Sequence, residues 1–199
     1  MPTNLTRPTP SWRILTWLMT AFLAILVPVY LHRYGATNFL YFCDLALFLT
    51  AVSLWSRWSL PASVALVGIL LPQVLWTLDL IARLCGVHLI GMTDYLFDSS
   101  LPLLVRGLSL FHLWLPWLLW WMVRQVGYDR RALGLCVVGG GAILLICWLV
   151  LPPPPAPAGQ PHLPVNVNLV FGLDDAGPQT WMPATAWFLG LFLGLPLLA

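Results

Sequence analysis

The sequence predicts an all-α fold, a polytopic membrane helix bundle of about six transmembrane helices. Three observations support this prediction: 60% of the 199 residues are hydrophobic, only 8% are charged, and the apolar residues form continuous runs. Soluble domains have about 25% charged residues, and the strands of a membrane barrel would alternate apolar and polar residues. We therefore expect a single integral membrane domain over residues 1–199.

Six apolar runs are long enough to be spans, since a helix needs about 20 apolar residues to cross a ~30 Å hydrocarbon core. The predicted spans are residues 12–31, 38–55, 60–80, 101–123, 133–151 and 181–198. We interpret the first run as a span rather than a signal peptide, because no small-residue cleavage site follows it. Membrane lipids are the expected partners. The net charge of +2 gives no indication of nucleic-acid binding.

The distribution of arginines predicts the orientation, because cytoplasmic loops carry an excess of basic residues. If the N-terminus is inside, two arginines are external, Arg33 and Arg83. Six are cytoplasmic: Arg7, Arg13, Arg57, Arg124, Arg130 and Arg131. We therefore expect a multi-pass protein of the cell membrane with both termini in the cytoplasm. Residues 152–183 then form a long external loop.

This external loop has two parts of different composition. It opens with four consecutive prolines at 152–155, which predict a stiff, extended spacer. The later stretch Asn-Val-Asn-Leu-Val-Phe-Gly (166–172) is rich in apolar residues. That stretch predicts that part of the loop folds back over the bundle. The alternative is a tether that merely connects two helix ends.

Charged residues within the predicted spans indicate a site. An ionised group near the bilayer centre costs at least ~2.5–3.5 kcal/mol, so it usually faces the bundle interior. Asp44, Asp79 and Arg106 lie on three spans, each within ~10 Å of the external surface at 1.5 Å per residue. They predict an externally open polar pocket for a small or lipidic ligand, with further candidate ligand-binding residues Gln73, Asn166 and Asn168. The alternative is structural: one acid pairs with Arg106 across two helices and the other binds Arg83.

His112 is the only imidazole within a predicted span, and it lies near mid-bilayer. Pro116 cannot donate a backbone hydrogen bond to the carbonyl of residue 112, which predicts a kink at the histidine. In an enzyme, His112 would be the general base, with Cys43 or Ser109 as the nucleophile. The alternative role for His112 is an interhelical hydrogen bond. Pro72, beside Gln73, predicts a second proline break.

Other chemistries have little support in the sequence. The four cysteines lack CxxC spacing, and the external histidines and aspartates lack diagnostic ligand spacing, so we expect no metal site and no cofactor. The six spans divide as three plus three, which would invert one half relative to the other, as in many transporters. A small transporter is therefore a further alternative, although no internal sequence repeat is visible. Whether a partner subunit completes the bundle is not indicated.

Several stretches carry a resemblance to a known family. They are YFCD (41–44), LPQVLWTLD (71–79), DYLFD (94–98), LPLLVRGLSLFH (101–112), GYDRR (127–131), NVN (166–168) and QTW (179–181). From about residue 38 to the C-terminus, the chain resembles a family of bacterial integral membrane proteins described only as membrane-associated. The resemblance implies the bacterial inner membrane and no particular activity.

The chain is also similar to transmembrane acyltransferases and lipid acyl hydrolases, the group that includes the YwaF-like and androgen-induced proteins. In that group a cysteine or threonine on one helix faces a histidine on another. The resemblance implies Cys43, or Thr50 two turns below it, as the nucleophile and His112 as the base. From its position in the span, Cys43 is expected to lie several ångströms closer to the external surface than His112.

Overall fold

The computed structural model describes residues 9–159, 163–173 and 175–198. Arg7, which contributes to the predicted orientation, lies outside these residues. The described residues contain α-helices, short 3₁₀ helices and no strand, which confirms the all-α prediction. The helices are α1 (Pro10–Tyr34), α2 (Phe42–Ser56), α3 (Ser59–Leu84), α4 (Leu103–Leu108), α5 (Phe111–Val126), α6 (Ala132–Val150) and α7 (Ala184–Leu198). The 3₁₀ helices are Ala36–Leu40, Asp94–Leu96 and Val167–Leu169.

Four segments are long and apolar enough to cross a membrane: α1, α3, α6, and α4 together with α5. They contain most of the first, third, fourth and fifth predicted spans. Pro72 lies inside α3, which continues to Leu84, so the predicted break there was wrong. Membrane helices tolerate such prolines because neighbouring helices and side chains satisfy the freed backbone groups.

The other two apolar helices, α2 and α7, are shorter than predicted. Each has 15 residues, or about 22 Å at 1.5 Å per residue, against a ~30 Å hydrocarbon core. The second span was expected to start near residue 38. Instead, residues 36–40 form a 3₁₀ helix and Tyr41 is extended, so α2 begins at Phe42. The start of α7 at Ala184 leaves the last loop residues, 181–183, outside the helix.

The α-helical hydrogen bonding is interrupted between α4 and α5, at residues 109 and 110. The backbone N–H groups of Leu110, His112 and Leu113 each donate to a carbonyl three residues back, at 3.0–3.3 Å. This tightened 3₁₀ geometry stands just before the histidine. The break predicted at His112 therefore lies at Ser109 and Leu110, and Pro116 lies inside α5.

Helix α3 is central, packing against α2, α5 and α6, while α1 packs on α2 and α7 packs on α6. One apolar core joins α1, α2, α3 and α5 around fully buried Leu47, Leu115 and Leu119. A second joins α6, α7 and the loop between them. The turns from α2 to α3 and from α5 to α6 form what we call the arginine-rich end, with Arg57, Arg124, Arg130 and Arg131. Residues 85–102 and 151–183 form the opposite, loop end.

The loop between α6 and α7 folds back into the bundle. Val165, Asn166, Val167 and Val170 are buried. The Asn168 side chain accepts a hydrogen bond from the Phe42 N–H (3.0 Å) and donates one to the Leu40 carbonyl (2.9 Å). It thus caps the N-terminus of α2, and the loop is not a simple tether. Irregular backbone within a membrane is tolerated where it is buried in protein, and this loop is buried in that way.

Candidate functional site

Asp79 anchors the loop that follows α3. Its Oδ1 accepts hydrogen bonds from the N–H groups of Ile90 (2.8 Å) and Gly91 (3.0 Å). Its Oδ2 accepts from the N–H (2.8 Å) and the hydroxyl (2.7 Å) of Thr93. The residue is only 2% exposed, and both carboxylate oxygens are occupied. Asp79 therefore has a structural partner in the loop itself.

Arg106 also holds this loop, since its Nη1 donates to the Leu96 carbonyl at 3.1 Å. Over residues 9–159, 163–173 and 175–198, the ion pairs are Arg83–Asp94, His88–Asp94 and Arg131–Asp129. The predicted pairing of Arg106 with Asp44 or Asp79 was wrong, and so was that of Arg83 with Asp79. Asp79 and Arg106 form hydrogen bonds with backbone groups of the loop, whereas the prediction had assigned them side-chain partners on neighbouring helices.

Asp44 has a different partner from these two residues. It is 3% exposed, and its Oδ2 accepts a hydrogen bond from the Asn38 amide at 2.8 Å. Its Oδ1 is buried without a hydrogen-bond partner, as is the Oε1 of Gln73, which is 2% exposed. No hydrogen bond or ion pair joins Asp44, Asp79 and Arg106 in the described part of the chain. Their common pocket stays a prediction.

Ser109 and His112 are neighbours but do not form a nucleophile–base pair. The Ser109 hydroxyl donates to the Val105 carbonyl (3.0 Å) and accepts from the Tyr30 hydroxyl (3.3 Å). The Nδ1 of His112 lies 2.6 Å from the backbone carbonyl of Ser109, so Nδ1 carries the hydrogen. The imidazole stacks on Trp76 and Phe111, with ring centroids 4.7 and 4.1 Å away. Such contacts are those of an interhelical packing histidine.

The other nucleophile candidates do not engage His112. Cys43 is a free, half-buried cysteine. Thr50 is fully buried, and its hydroxyl donates to the Ala46 carbonyl one turn back at 2.6 Å. Within the described ranges, no hydrogen bond connects either side chain to the imidazole. Among the same residues, no group of three or more histidines, cysteines or acids could hold a metal ion.

Sequence reasoning missed the partners of Ser109 and His112. Besides Tyr30, Ser109 has a side-chain hydrogen bond with Tyr95 from the loop after α3. The Tyr95 hydroxyl also accepts from the indole of Trp76 at 3.2 Å, and the Trp76 ring stacks on His112. Burial raises the pKa of Tyr95, so this phenol stays neutral. Tyrosine and tryptophan are usually hydrogen-bonded when buried, but that preference does not identify the partner.

The two loop asparagines have structural partners. Asn166 accepts a hydrogen bond from the Phe171 N–H (2.8 Å) and donates to the Gly172 carbonyl (3.0 Å), which closes the loop on itself. Asn168 caps α2 as described above, with a left-handed backbone at φ 58°. Both side chains hold the shape of the loop.

A cavity of about 330 Å³, which we call the lateral groove, opens between α2, α3 and α6. Its lining consists of aliphatic and aromatic side chains, glycines and one thiol. The lining residues are Phe42, Leu45, Ala46, Phe48, Leu49, Val52, Val64, Ala65, Gly68, Ile69, Leu135, Cys136, Gly139, Gly140 and Ile143. None of the predicted site residues lines it.

Glycines keep the lateral groove open. A Cβ added at Gly139 would meet nothing within 4 Å, so this position faces free space. Two residues on, a Cβ at Gly141 would lie 2.9 Å from the Phe192 ring of α7. The glycine run at 139–141 therefore permits close packing of α7 on one face of α6 and lines the groove on the other.

The lateral groove is elongated along the helices. On α6 it runs from Leu135 to Ile143, and on α2 from Phe42 to Val52. At 1.5 Å per residue these stretches measure about 12 and 15 Å, close to half of a ~30 Å hydrocarbon core. Leu135 and Val64 begin it one to two turns above the arginine-rich end. The groove is thus about as long as one leaflet of the hydrocarbon core is thick.

Comparisons with protein families, with curated proteins and with solved structures give no match. The chain is an integral membrane protein by the length and composition of its four spanning segments. The family resemblances noted in the sequence stay predictions.

Proposed function

We propose that this protein binds the acyl chain of a membrane lipid in the lateral groove. One observation carries the proposal: a groove with an apolar lining lies between helices that belong to the membrane-embedded bundle. Inside a bilayer the medium around the bundle is lipid, whose tails are as apolar as leucine. An acyl chain therefore fills the groove without desolvating any polar group.

The size of the groove suits a thin, flexible ligand. Its cavity of about 330 Å³ lies at the lower end of the range for ligand pockets, roughly 300–1,000 Å³. The groove lies between helices that lipid surrounds in a bilayer, so the acyl chain of a neighbouring lipid has direct access to it.

Catalysis is not part of the proposal. An acyl hydrolase or acyltransferase needs a nucleophile within hydrogen-bond reach of its base. Here the Ser109 hydroxyl is engaged by Tyr30 and Val105, and the imidazole of His112 binds a backbone carbonyl. Nor do these side chains line the groove. A transporter has no specific support either, so lipid binding is the function that we propose.

Filling the groove should abolish chain binding. In liposomes containing a phospholipid with a diazirine on its acyl chain, we expect photo-crosslinks on α2 and α6 peptides that line the groove. Gly139→Leu should lower these crosslinks about tenfold, because its side chain projects into the groove without meeting protein atoms. Crosslinks on the lipid-exposed face of α1, at Trp17 and Leu18, should not change.

Gly134→Leu is the matched control. It adds the same side chain to the same helix, also with nothing within 4 Å of its Cβ, but Gly134 does not line the groove. This variant should crosslink like the wild type. If the groove peptides crosslink equally in wild type and Gly139→Leu, the crosslinks arise from bulk lipid, and the proposed binding in the groove is wrong.

We also propose an inner-membrane location with cytoplasmic termini, supported by the arginine distribution. Gly159, at the loop end and exposed, is a suitable reporter. In a Cys85→Ser background, which removes the exposed native thiol, Gly159→Cys should react with an impermeant maleimide added outside intact spheroplasts. Reaction only after the cells are opened would reverse the orientation.

A further inference from the structure

We infer that the lateral groove selects a phospholipid of net negative charge, whose phosphate binds Arg131 at the arginine-rich end. This inference rests on the proposed acyl-chain binding and names the head group that accompanies the chain. The chemistry required at this position is a guanidinium that is oriented, accessible and close to the entrance of the groove. Arg131 meets each of these requirements.

Arg131 lies one helical turn before the first groove residue of α6. It precedes Leu135 by four residues, so the two share one face of α6. The axial separation is about 6 Å at 1.5 Å per residue. A phosphate bound at Arg131 therefore leaves the acyl chain of the same lipid at the entrance of the groove. From there the chain follows α6 toward Ile143.

Hydrogen bonds hold this guanidinium against the turn that precedes α6. The Asp129 N–H donates to the Ser63 hydroxyl at 3.0 Å, which ties the turn to α3 beside Val64, a groove residue. Arg131 in turn donates to Asp129 through Nε (3.0 Å) and Nη2 (2.7 Å). A guanidinium has five N–H donors, so three remain for a phosphate. Two-point binding of phosphate by arginine is strong and directional.

The local charge favours an anionic lipid. Arg130 and Arg131 are positive and Asp129 is negative, which leaves a net charge of +1 beside the groove. Hydrogen bonds from Arg131 lower the pKa of Asp129 to about 2. The pair therefore persists at neutral pH, and Asp129 occupies the edge of the guanidinium opposite the free donors. Asp129 is a positioning residue in this arrangement.

Two photolabile lipids with the same diazirine acyl chain test the inference, one with a phosphatidylglycerol and one with a phosphatidylcholine head group. In wild-type protein, we expect groove crosslinks to favour phosphatidylglycerol about fivefold, which corresponds to ~1 kcal/mol per basic residue near a membrane surface. Arg131→Gln should bring the ratio close to one. High salt should lower the wild-type ratio as well.

Arg124→Gln is the matched control, since Arg124 lies at the same end of the bundle but stacks on Trp120 of α5, 4.7 Å from its ring centroid. It should retain the wild-type ratio. A ratio near one in wild type, or an unchanged ratio in Arg131→Gln, would overturn the head-group inference while the groove stands. Absence of groove crosslinks with both lipids would instead refute the proposed acyl-chain binding.

Discussion

Asp79→Asn should lower the free energy of unfolding by about 3–5 kcal/mol, a cost typical of breaking a buried charged interaction. The carboxylate accepts four hydrogen bonds from residues 90, 91 and 93 and is almost fully buried. An asparagine places an NH₂ group against two of these donors. The donors then remain buried without an acceptor, and the loop at 85–102 loses its anchor.

Unfolding of the detergent-solubilised protein by denaturant titration measures this effect, and limited proteolysis of residues 85–102 reports the loop directly. Asp98→Asn is a suitable control in the same loop, because Asp98 is exposed and bonds to Ser100 at the surface. Its effect should stay below about 1 kcal/mol. If Asp79→Asn matches that control in stability and proteolysis, Asp79 does not hold the loop.

Asn168→Val should lower the free energy of unfolding by about 3 kcal/mol, for two reasons. The variant leaves the partly buried Phe42 N–H and Leu40 carbonyl without their partner. It also forces a β-branched residue into the left-handed backbone at φ 58°, which costs about 1–2 kcal/mol. The same denaturant titration provides the measurement.

Asn168→Gly separates these two contributions. Glycine adopts the left-handed conformation without strain but cannot make the hydrogen bonds. We expect its stability to fall between those of wild type and Asn168→Val. A glycine variant as stable as the wild type would mean that capping of α2 contributes nothing. A valine variant as stable as the wild type would remove the role of Asn168 altogether.

The long spans could be predicted from the sequence because each is a continuous apolar run, and hydrophobic burial in the bilayer decides their existence. The start of α2 could not. The stretch from Asn38 to Phe42 is as apolar as a helix requires, yet α2 begins only where the Asn168 side chain caps its first N–H. No local pattern encodes a cap that comes from another part of the chain.

The candidate site could likewise be predicted only in part from the sequence. Depth along each helix placed Asp44, Asp79 and Arg106 correctly as buried or half-buried residues, but depth does not specify partners. The partners of Asp79 and Arg106 are backbone groups of the loop, which every residue carries and which leave no sequence signal. The lateral groove could not be predicted, because the sequence does not distinguish the role of Gly139 from that of Gly141. Only the packing of α7 on α6 distinguishes them.

The cap on α2 also constrains the order of assembly. Phe42 and Asn168 are 126 residues apart in the chain, and synthesis at about 5–20 residues per second separates their appearance by roughly 6–25 s. During that interval, the Phe42 N–H at the start of α2 lacks its native acceptor. The start of α2 is therefore completed late, after α6 has been made, whereas the loop anchored by Asp79 needs no residue beyond 93. The lag is the interval in which a chaperone or a wrongly paired segment competes for the start of α2.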